Sequence, residues 1–256
     1  MDSPGLPDPI FAREGARWRP HPEAGGPFGG LHGGAISGLI VAEMERQARE
    51  HGLGSMLSAS VLLLRPAPPA LLETRSELLR KGGRTGALET VLLADGKLIA
   101  KGMASCISPQ PVANTPAEPT LLCDPSSLPP WPLKPRFRQS TLFDALDLRV
   151  DREGMKWGRL LRPLVPFDHA FASVFAIADN APPFSLRDHR HALSGYTFPN
   201  VDLSVHASRP VAGGWIGVKA RSDWRPEGMG LTDGELYDER GRLGHVCQTI
   251  VLVPQA

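Results

Sequence analysis

Cysteines are scarce in this sequence, and it has no long apolar run. The three cysteines are odd in number, and their spacing matches no metal-ligand pattern (Cys106, Cys123 and Cys247). We therefore predict reduced thiols rather than a disulfide framework, as is usual for a cytoplasmic protein. No apolar stretch approaches the roughly 18 residues that a transmembrane helix needs, so no membrane partner is expected. The N-terminal MDSPGLPDPI is acidic and proline-rich and lacks the apolar segment of a signal peptide.

Blocks of like charge are absent as well, which excludes further classes of partner. The formal net charge is +1, so the sequence does not favour a nucleic acid as partner. Neither a phosphate-binding loop nor a dinucleotide fingerprint occurs, and we expect no cofactor. The composition of the segment around His189 and His191 predicts a solvated loop rather than a metal site. The hydrophobic fraction of 41% and the charged fraction of 21% are those of a globular chain that can bury a core.

A proline-rich segment divides the chain near its middle. Nine prolines lie between Pro109 and Pro135, a density typical of an extended linker packed on the surface. We therefore predict an N-terminal unit over 1–108, a linker over 109–139 and a C-terminal unit over 140–256.

The second unit repeats the order of features in the first. Strand patterns occupy 12–22, 57–65, 71–80, 87–94 and 97–107 in the first unit, and 140–150 and 155–165 begin the second. Three shared landmarks lie 144 or 145 residues apart (Arg65-Pro66 and Arg209-Pro210, Gly86 and Gly230, Gly96 and Gly241). The pattern predicts a duplicated α+β fold in which each helix lies across a curved antiparallel sheet. The two sheets would join either edge to edge or face to face.

A short apolar helix is predicted over 168–180, with Asp168 as its N-cap. Phe171, Phe175 and Asp179 are spaced by four residues, so the carboxylate shares a helix face with two aromatic rings. Burial and the negative end of the helix dipole both disfavour a charge at this position. Asp179 therefore either points to solvent at the helix end or has hydrogen-bond donors around it.

Short motifs occur at Ala178-Asp179-Asn180, Val201-Asp202-Leu203-Ser204 and Val246-Cys247-Gln248. They resemble motifs of the thioesterase II family of acyl-CoA thioesterases. Ala178-Asp179-Asn180 resembles the family's Ser-Asp-Leu-like triplet at a helix end. Val201-Asp202-Leu203-Ser204 and Ser208-Arg209-Pro210 resemble a strand of the form Ile-Asp-His-Ser followed by His-Arg-Pro. Val246-Cys247-Gln248 looks like the family's last strand, and residues 28–34 look like its glycine-rich entry to the first helix. The resemblance covers most of the chain and implies a double hotdog fold, in which two tandem curved antiparallel sheets each wrap around a central helix.

The resemblance also implies a catalytic set. In the family an Asp, a Thr and a Gln hold the attacking water, and these positions fall on Asp179, Asn200 and Gln248. The Asn at the Thr position departs from the family pattern, although an amide can still position a water. Strand alternation puts Gln248 on an apolar face, where its amide needs a partner.

His32, Gly33 and Gly34 form the predicted substrate-binding segment. Free backbone N–H groups at a helix start, with no Cβ in the way, can polarise a thioester carbonyl; the glycines can equally serve close packing. The first helix has no counterpart of the carboxylate in the second. Its nearest acid, Glu43, is expected to face solvent, so we expect one active site. Asp202 is expected to pair with Arg209.

The favoured function is hydrolysis of acyl-CoA thioesters in fatty acid metabolism, with acyl-CoA as the partner. The resemblance also implies that copies of the chain can assemble into a homo-oligomer. Two alternatives stay open. An enoyl-CoA hydratase or dehydratase of the hotdog type needs a His–acid pair, for which His32 and Asp179 are the candidates. A non-catalytic acyl-CoA-binding protein is supported by the departure at Asn200.

Overall fold

The computed structural model describes four stretches of the chain: 7–115, 124–132, 139–185 and 195–254. Cys123, His189 and His191 lie outside these stretches, so the predictions made for them are not addressed. Within the described chain, Cys106 and Cys247 are free thiols. No described helix combines the length and the apolar character needed to cross a membrane.

The first unit consists of one long helix and six strands. These are β1 (Phe11–Glu14), β2 (Arg17–Pro20), α1 (Gly33–His51), β3 (Ser55–Leu63), β4 (Leu72–Lys81), β5 (Thr85–Ala94) and β6 (Lys97–Ile107). The single strand predicted over 12–22 is wrong, because a turn divides it into the hairpin of β1 and β2. Gly15 occupies that turn with a φ of 61°, a conformation that favours glycine.

The second unit has the same plan with a shorter central helix. Its elements are β7 (Leu146–Val150), β8 (Lys156–Leu160), α2 (Ala170–Ala178), α3 (Ala181–Ser185), β9 (Tyr196–Thr197), β10 (Asp202–Ala207), β11 (Ile216–Trp224), β12 (Met229–Asp238), β13 (Gly241–Val251) and β14 (Val253–Pro254). The helix predicted over 168–180 is therefore shorter, because α2 covers only Ala170–Ala178. Asp179 and Asn180 lie between it and α3, which the sequence did not predict.

Twelve of the described strands form one antiparallel sheet, in the order β1-β2-β4-β5-β6-β3-β10-β13-β12-β11-β8-β7. The two halves of this order mirror each other: β1 and β7 lie at the outer edges, and β3 and β10 meet in the middle. The central strands β3 and β10 pair antiparallel, with Val61 opposite Leu203. The two sheets thus join edge to edge, which decides between the two arrangements that the sequence left open.

The two central helices pack against each other through small residues. A Cβ placed on Gly34 would lie 3.0 Å from the carbonyl oxygen of Ala176, and one on Gly38 would lie 3.3 Å from that of Ala172. Glycine at these positions therefore lets the backbones of α1 and α2 approach closely. The contact holds the N-terminal end of α1 beside the C-terminal end of α2.

The described part of the proline-rich segment packs along the second unit. The N–H of Trp131 donates to the carbonyl of Leu148 at 2.9 Å, and the N–H of Val150 donates to the carbonyl of Pro129 at 3.1 Å. This stretch extends the edge of the sheet beside β7. The boundaries at 108 and 139 stay a prediction.

Candidate active site

A cavity of about 820 Å³ opens where the N-terminal end of α1 meets the C-terminal end of α2. Aromatic rings contribute to its wall, among them Phe28 and Phe198. Its polar side chains include those of His32, Asp179 and Asn200, and the backbone of Gly33 reaches its surface. A largely apolar cleft with a few convergent polar groups is typical of a small-molecule site.

Asp179 follows the last residue of α2 and points into this junction. Its side chain is only 4% exposed. One carboxylate oxygen, Oδ1, accepts a hydrogen bond from Nδ2 of Asn200 at 2.8 Å. The other, Oδ2, lies 3.1 Å from Nδ1 of His32. Asp179 therefore has polar partners around it and does not point to solvent at the helix end. The positive end of the α1 dipole also offsets the negative end of α2 here.

Asn200 reaches the carboxylate from the chain that enters β10. A β-bridge to Ile250 of β13 fixes its backbone. Its Nδ2 donates to Asp179 and, at 3.0 Å, to the carbonyl of Asp202. Both amide hydrogens are therefore engaged, and the carbonyl oxygen Oδ1 is the group that can still accept a hydrogen bond.

Gln248 lies behind the cavity wall rather than on it. Its side chain is fully buried on the inner face of β13, as strand alternation predicted. Nε2 donates to the carbonyl of Ala178 at 2.9 Å, and no hydrogen bond joins Gln248 to Asp179 among the described residues. Its Oε1 is buried and has no partner there. The structure thus brings Asp179 and Asn200 together and places Gln248 against the last turn of α2.

The start of α1 has a side-chain cap, so fewer of its N–H groups are free than the sequence predicted. The N–H of Gly34 donates to Nδ1 of His32 at 3.1 Å, which makes the histidine side chain an N-cap. The N–H of Gly33 has no hydrogen-bond partner in the described chain. A Cβ on Gly33 would lie 3.0 Å from Oδ2 of Asp179, so glycine allows the helix start to approach the carboxylate this closely.

The start of α2 is arranged differently from that of α1. His169, not Asp168, is the N-cap residue, and it makes no capping hydrogen bond through its side chain. Instead Glu45 of α1 accepts hydrogen bonds from the N–H groups of Phe171, at 3.1 Å, and Ala172, at 2.8 Å. The N–H groups at the start of α2, which correspond to those at the start of α1 beside the cavity, are therefore occupied by Glu45. The expectation of one active site stays a prediction.

Sequence reasoning missed Glu45. The signal that could have found it is its position seven residues after Gly38, on the helix face that packs against α2. The neighbouring Glu43, expected in solvent, is buried and pairs with Arg46 at 3.0 Å. That expectation was wrong because the pattern of one helix does not show where a neighbouring surface covers it.

Glu45 is expected to make the stability of the chain depend on pH. Burial raises the pKa of its carboxyl from 4.5 to about 7, against the two backbone N–H donors and Arg49, which lower it. Between these values the folded chain holds a proton that the unfolded chain has released. The free energy of unfolding therefore falls as pH rises from about 4.5 to about 7, by roughly 3 kcal/mol from this group.

Urea unfolding of the wild type and of Glu45→Gln, at about pH 5 and pH 8, checks this expectation. Groups other than Glu45 titrate in both proteins, so their effects cancel in the comparison. The glutamine variant should lack the part of the pH dependence that comes from Glu45. Parallel pH profiles of the two proteins would contradict the assignment.

Two other predicted contacts differ from the structure. The carboxylate of Asp202 accepts from the backbone N–H of Thr249 at 2.8 Å, and it does not pair with Arg209 in the described chain. Arg209 instead donates to Asp238 at 2.7 Å. Asp202 therefore acts as a brace between β10 and β13. In the described residues, no group of three or more His, Cys, Asp or Glu side chains could hold a metal ion.

Family models match both halves of the chain. A model described as the acyl-CoA thioesterase C-terminal domain matches residues 123–252, and one described as the N-terminal domain matches residues 21–107. No curated protein sequence matches the chain.

Solved structures share the fold at low sequence identity. A candidate thioesterase from Novosphingobium aromaticivorans is 21% identical with a TM-score of 0.71, over 95% of this chain and 98% of that one. An acyl-CoA thioesterase II from Mycobacterium marinum is 16% identical with a TM-score of 0.69, over 95% and 94%. A conserved protein with a hot dog fold from Alicyclobacillus acidocaldarius is 17% identical with a TM-score of 0.70, over 96% of each chain. The predicted double hotdog fold is confirmed.

Proposed function

Because this chain belongs to the acyl-CoA thioesterase family, we propose that its cavity hydrolyses an acyl-CoA thioester to the free acid and CoA. One observation carries the proposal: the buried carboxylate of Asp179 and the backbone of Gly33 lie close together on the wall of one cavity. A base and an unpaired N–H donor beside each other on one cavity wall suit attack of water on a carbonyl. Roles in fatty acid metabolism and the cytoplasm, and assembly into a homo-oligomer, stay predictions.

The step that we propose begins with a water held by Asp179. The carboxylate takes a proton from the water as its oxygen bonds to the carbonyl carbon. The negative charge that develops on the carbonyl oxygen is stabilised by the N–H of Gly33 and by the positive end of the α1 dipole. When the carbonyl re-forms, the bond to sulfur breaks, and the CoA thiolate leaves with the bonding pair and receives the proton back from Asp179.

Asn200 and Gln248 have different parts in this proposal. Because both amide hydrogens of Asn200 are used, its role is to orient the carboxylate of Asp179 toward the water. Oε1 of Gln248 is a buried acceptor without a donor, an arrangement that costs about 1–3 kcal/mol. Gln248 lies behind the cavity wall, so its proposed part is to hold the carbonyl of Ala178 and thereby place Asp179. The contact with the water that the resemblance implies stays a prediction.

Substitutions at Asn200 test the orienting role. Asn200→Thr retains a donor that can reach Oδ1 of Asp179, and this variant should keep kcat within about tenfold of the wild type. Asn200→Leu has a similar size but no donor, and should lose about 10²-fold in kcat because the carboxylate is free to turn. Steady-state kinetics on one acyl-CoA checks both variants. Equal activity of the two would remove the role assigned to Asn200.

A hydrolysis screen over acyl-CoAs of increasing chain length tests the function itself. Release of free CoA thiol should appear with the wild-type chain for at least one chain length. Tight binding of acyl-CoAs across the series without release of CoA would instead establish a non-catalytic acyl-CoA-binding protein.

Hydration of enoyl-CoA is the second candidate function. The observation that favours it is the 3.1 Å approach of His32 Nδ1 to Asp179 Oδ2, because this chemistry needs a His–acid pair. The absorbance of an enoyl-CoA, followed beside CoA release in the same preparation, separates the two reactions. Loss of the enoyl absorbance without CoA release would favour the hydratase.

A further inference from the structure

The ring nitrogen Nδ1 of His32 has two polar neighbours. One of them needs a lone pair on this nitrogen, and the other needs a proton. Nδ1 accepts the N–H of Gly34 at 3.1 Å, which requires a lone pair. The same Nδ1 lies 3.1 Å from the Oδ2 atom of Asp179, which forms a hydrogen bond only if a proton lies between the two atoms. A single ring nitrogen cannot offer a lone pair and a proton together.

Two proton positions follow from this geometry. With the proton on Oδ2, Asp179 donates toward Nδ1 and shares the one lone pair of this nitrogen with the N–H of Gly34. With the proton on Nδ1, His32 donates to an ionised Asp179, and the N–H of Gly34 loses its partner. Both atoms are buried, with side-chain exposures of 8% for His32 and 4% for Asp179, so water does not readily replace either contact.

We propose that His32 is a further catalytic residue, which takes from Asp179 the proton that the attacking water gives up. The inference rests on the proposed hydrolysis. It goes beyond that proposal because, for hydrolysis, the ring was assigned only to binding, and because it links two events. As the proton moves onto Nδ1, the N–H of Gly34 is released at the same end of α1 as the free N–H of Gly33. The positive end of the helix thus gains an unpaired donor while the intermediate carries its negative charge.

The atoms and electrons balance over the cycle. An O–H bond of water breaks, its oxygen bonds to the carbonyl carbon, and the carbonyl π electrons move to oxygen. The proton passes through Oδ2 of Asp179 to Nδ1 of His32. When the tetrahedral intermediate collapses, the C–S bond breaks and the thiolate leaves with the bonding pair. The proton then returns from the ring through Asp179 to the thiolate, and Nδ1 again caps Gly34.

The His32→Asn variant separates proton transfer from capping. Asparagine is among the preferred N-cap residues, and its Oδ1 branches from the same carbon as Nδ1 does in histidine. The cap on Gly34 is therefore kept, but an amide oxygen does not take up the proton. We expect kcat to fall about 10²-fold, with KM within about threefold and an unchanged melting temperature. Retention of kcat within threefold of the wild type would overturn the proposal.

A second variant decides the matter if H32N does not fold normally. His32→Ala empties a site on the wall of the cavity, into which added imidazole can diffuse. Recovery of activity by imidazole in H32A supports proton uptake by the ring, and no recovery overturns it.

Two further proteins make the failure of this inference distinguishable from the failure of the proposed function. His206→Asn changes an exposed histidine on β10 and should leave kcat unchanged. Asp179→Asn reports on the hydrolysis itself. An active wild type, an inactive D179N and an active H32N would end the role of His32 and leave hydrolysis standing. A wild type that hydrolyses no acyl-CoA would end both.

Discussion

Replacement of Asp179 by asparagine should lower kcat for acyl-CoA hydrolysis by about 10³-fold, because an amide cannot take the proton from the water. The change is nearly isosteric. The amide oxygen can still accept from Asn200, and the amide nitrogen can share the lone pair on Nδ1 of His32 with the N–H of Gly34. The melting temperature should therefore stay within about 3 °C of the wild type, a shift that corresponds to about 1 kcal/mol in a chain of this size.

The matched control for D179N is Asp168→Asn, at the other end of α2. The side chain of Asp168 is 79% exposed, and its nearest cation, Arg49, lies 3.8 Å away. This variant removes a carboxylate from the same part of the chain and should keep full activity. A D179N protein that folds and retains activity within tenfold of the wild type would rule out Asp179 as the base.

The second large effect is expected from Gly33→Ala. The added methyl group would lie 3.0 Å and 3.3 Å from the two carboxylate oxygens of Asp179 and 3.2 Å from Cδ1 of Leu63. It would crowd the part of the cavity wall, between the start of α1 and the carboxylate, where the thioester carbonyl is proposed to bind. We expect kcat/KM to fall by about 10²- to 10³-fold, the usual loss when a donor to a developing oxyanion is blocked.

Two glycine variants separate blocking of the site from damage to the fold. Gly83→Ala, in the turn between β4 and β5, places a methyl group with nothing within 4 Å and should change neither activity nor stability. Gly34→Ala would bring a methyl group to 2.7 Å from the Cβ of Asp179 and force the two helices apart. It should lose about 1–3 kcal/mol of stability, as overpacked cores do. If G33A were as active as G83A, the carbonyl would have to bind elsewhere.

The closeness of the two helices underlies both predictions. Because α1 and α2 contact through Gly34 and Gly38, a residue at the end of one helix meets the beginning of the other. A similar contact at the opposite end of the pair is filled by Glu45, whose carboxylate occupies the N–H groups of Phe171 and Ala172. One end of the helix pair thus opens to a cavity while the other is closed by a side chain of the same chain.

The sequence by itself determined the features that depend on local periodicity and on repetition. The four-residue spacing put Phe171, Phe175 and Asp179 on one buried helix face. The period of two put Gln248 on the inner face of its strand. The repeated landmarks predicted two copies of one helix-and-sheet unit. Each of these follows from how neighbouring residues lie along one helix or strand, or from comparison of the chain with itself.

Only the tertiary structure decided which partner each buried polar group has. Edge-to-edge pairing of β3 with β10, the contact of His32 with Asp179, and the bond from Gln248 to Ala178 all join distant parts of the chain. Periodicity fixes the face on which a side chain lies but carries no information on what packs against that face. For the same reason Glu43 was expected in solvent and Asp202 beside Arg209. The choice among competing partners is made by the packing of whole elements.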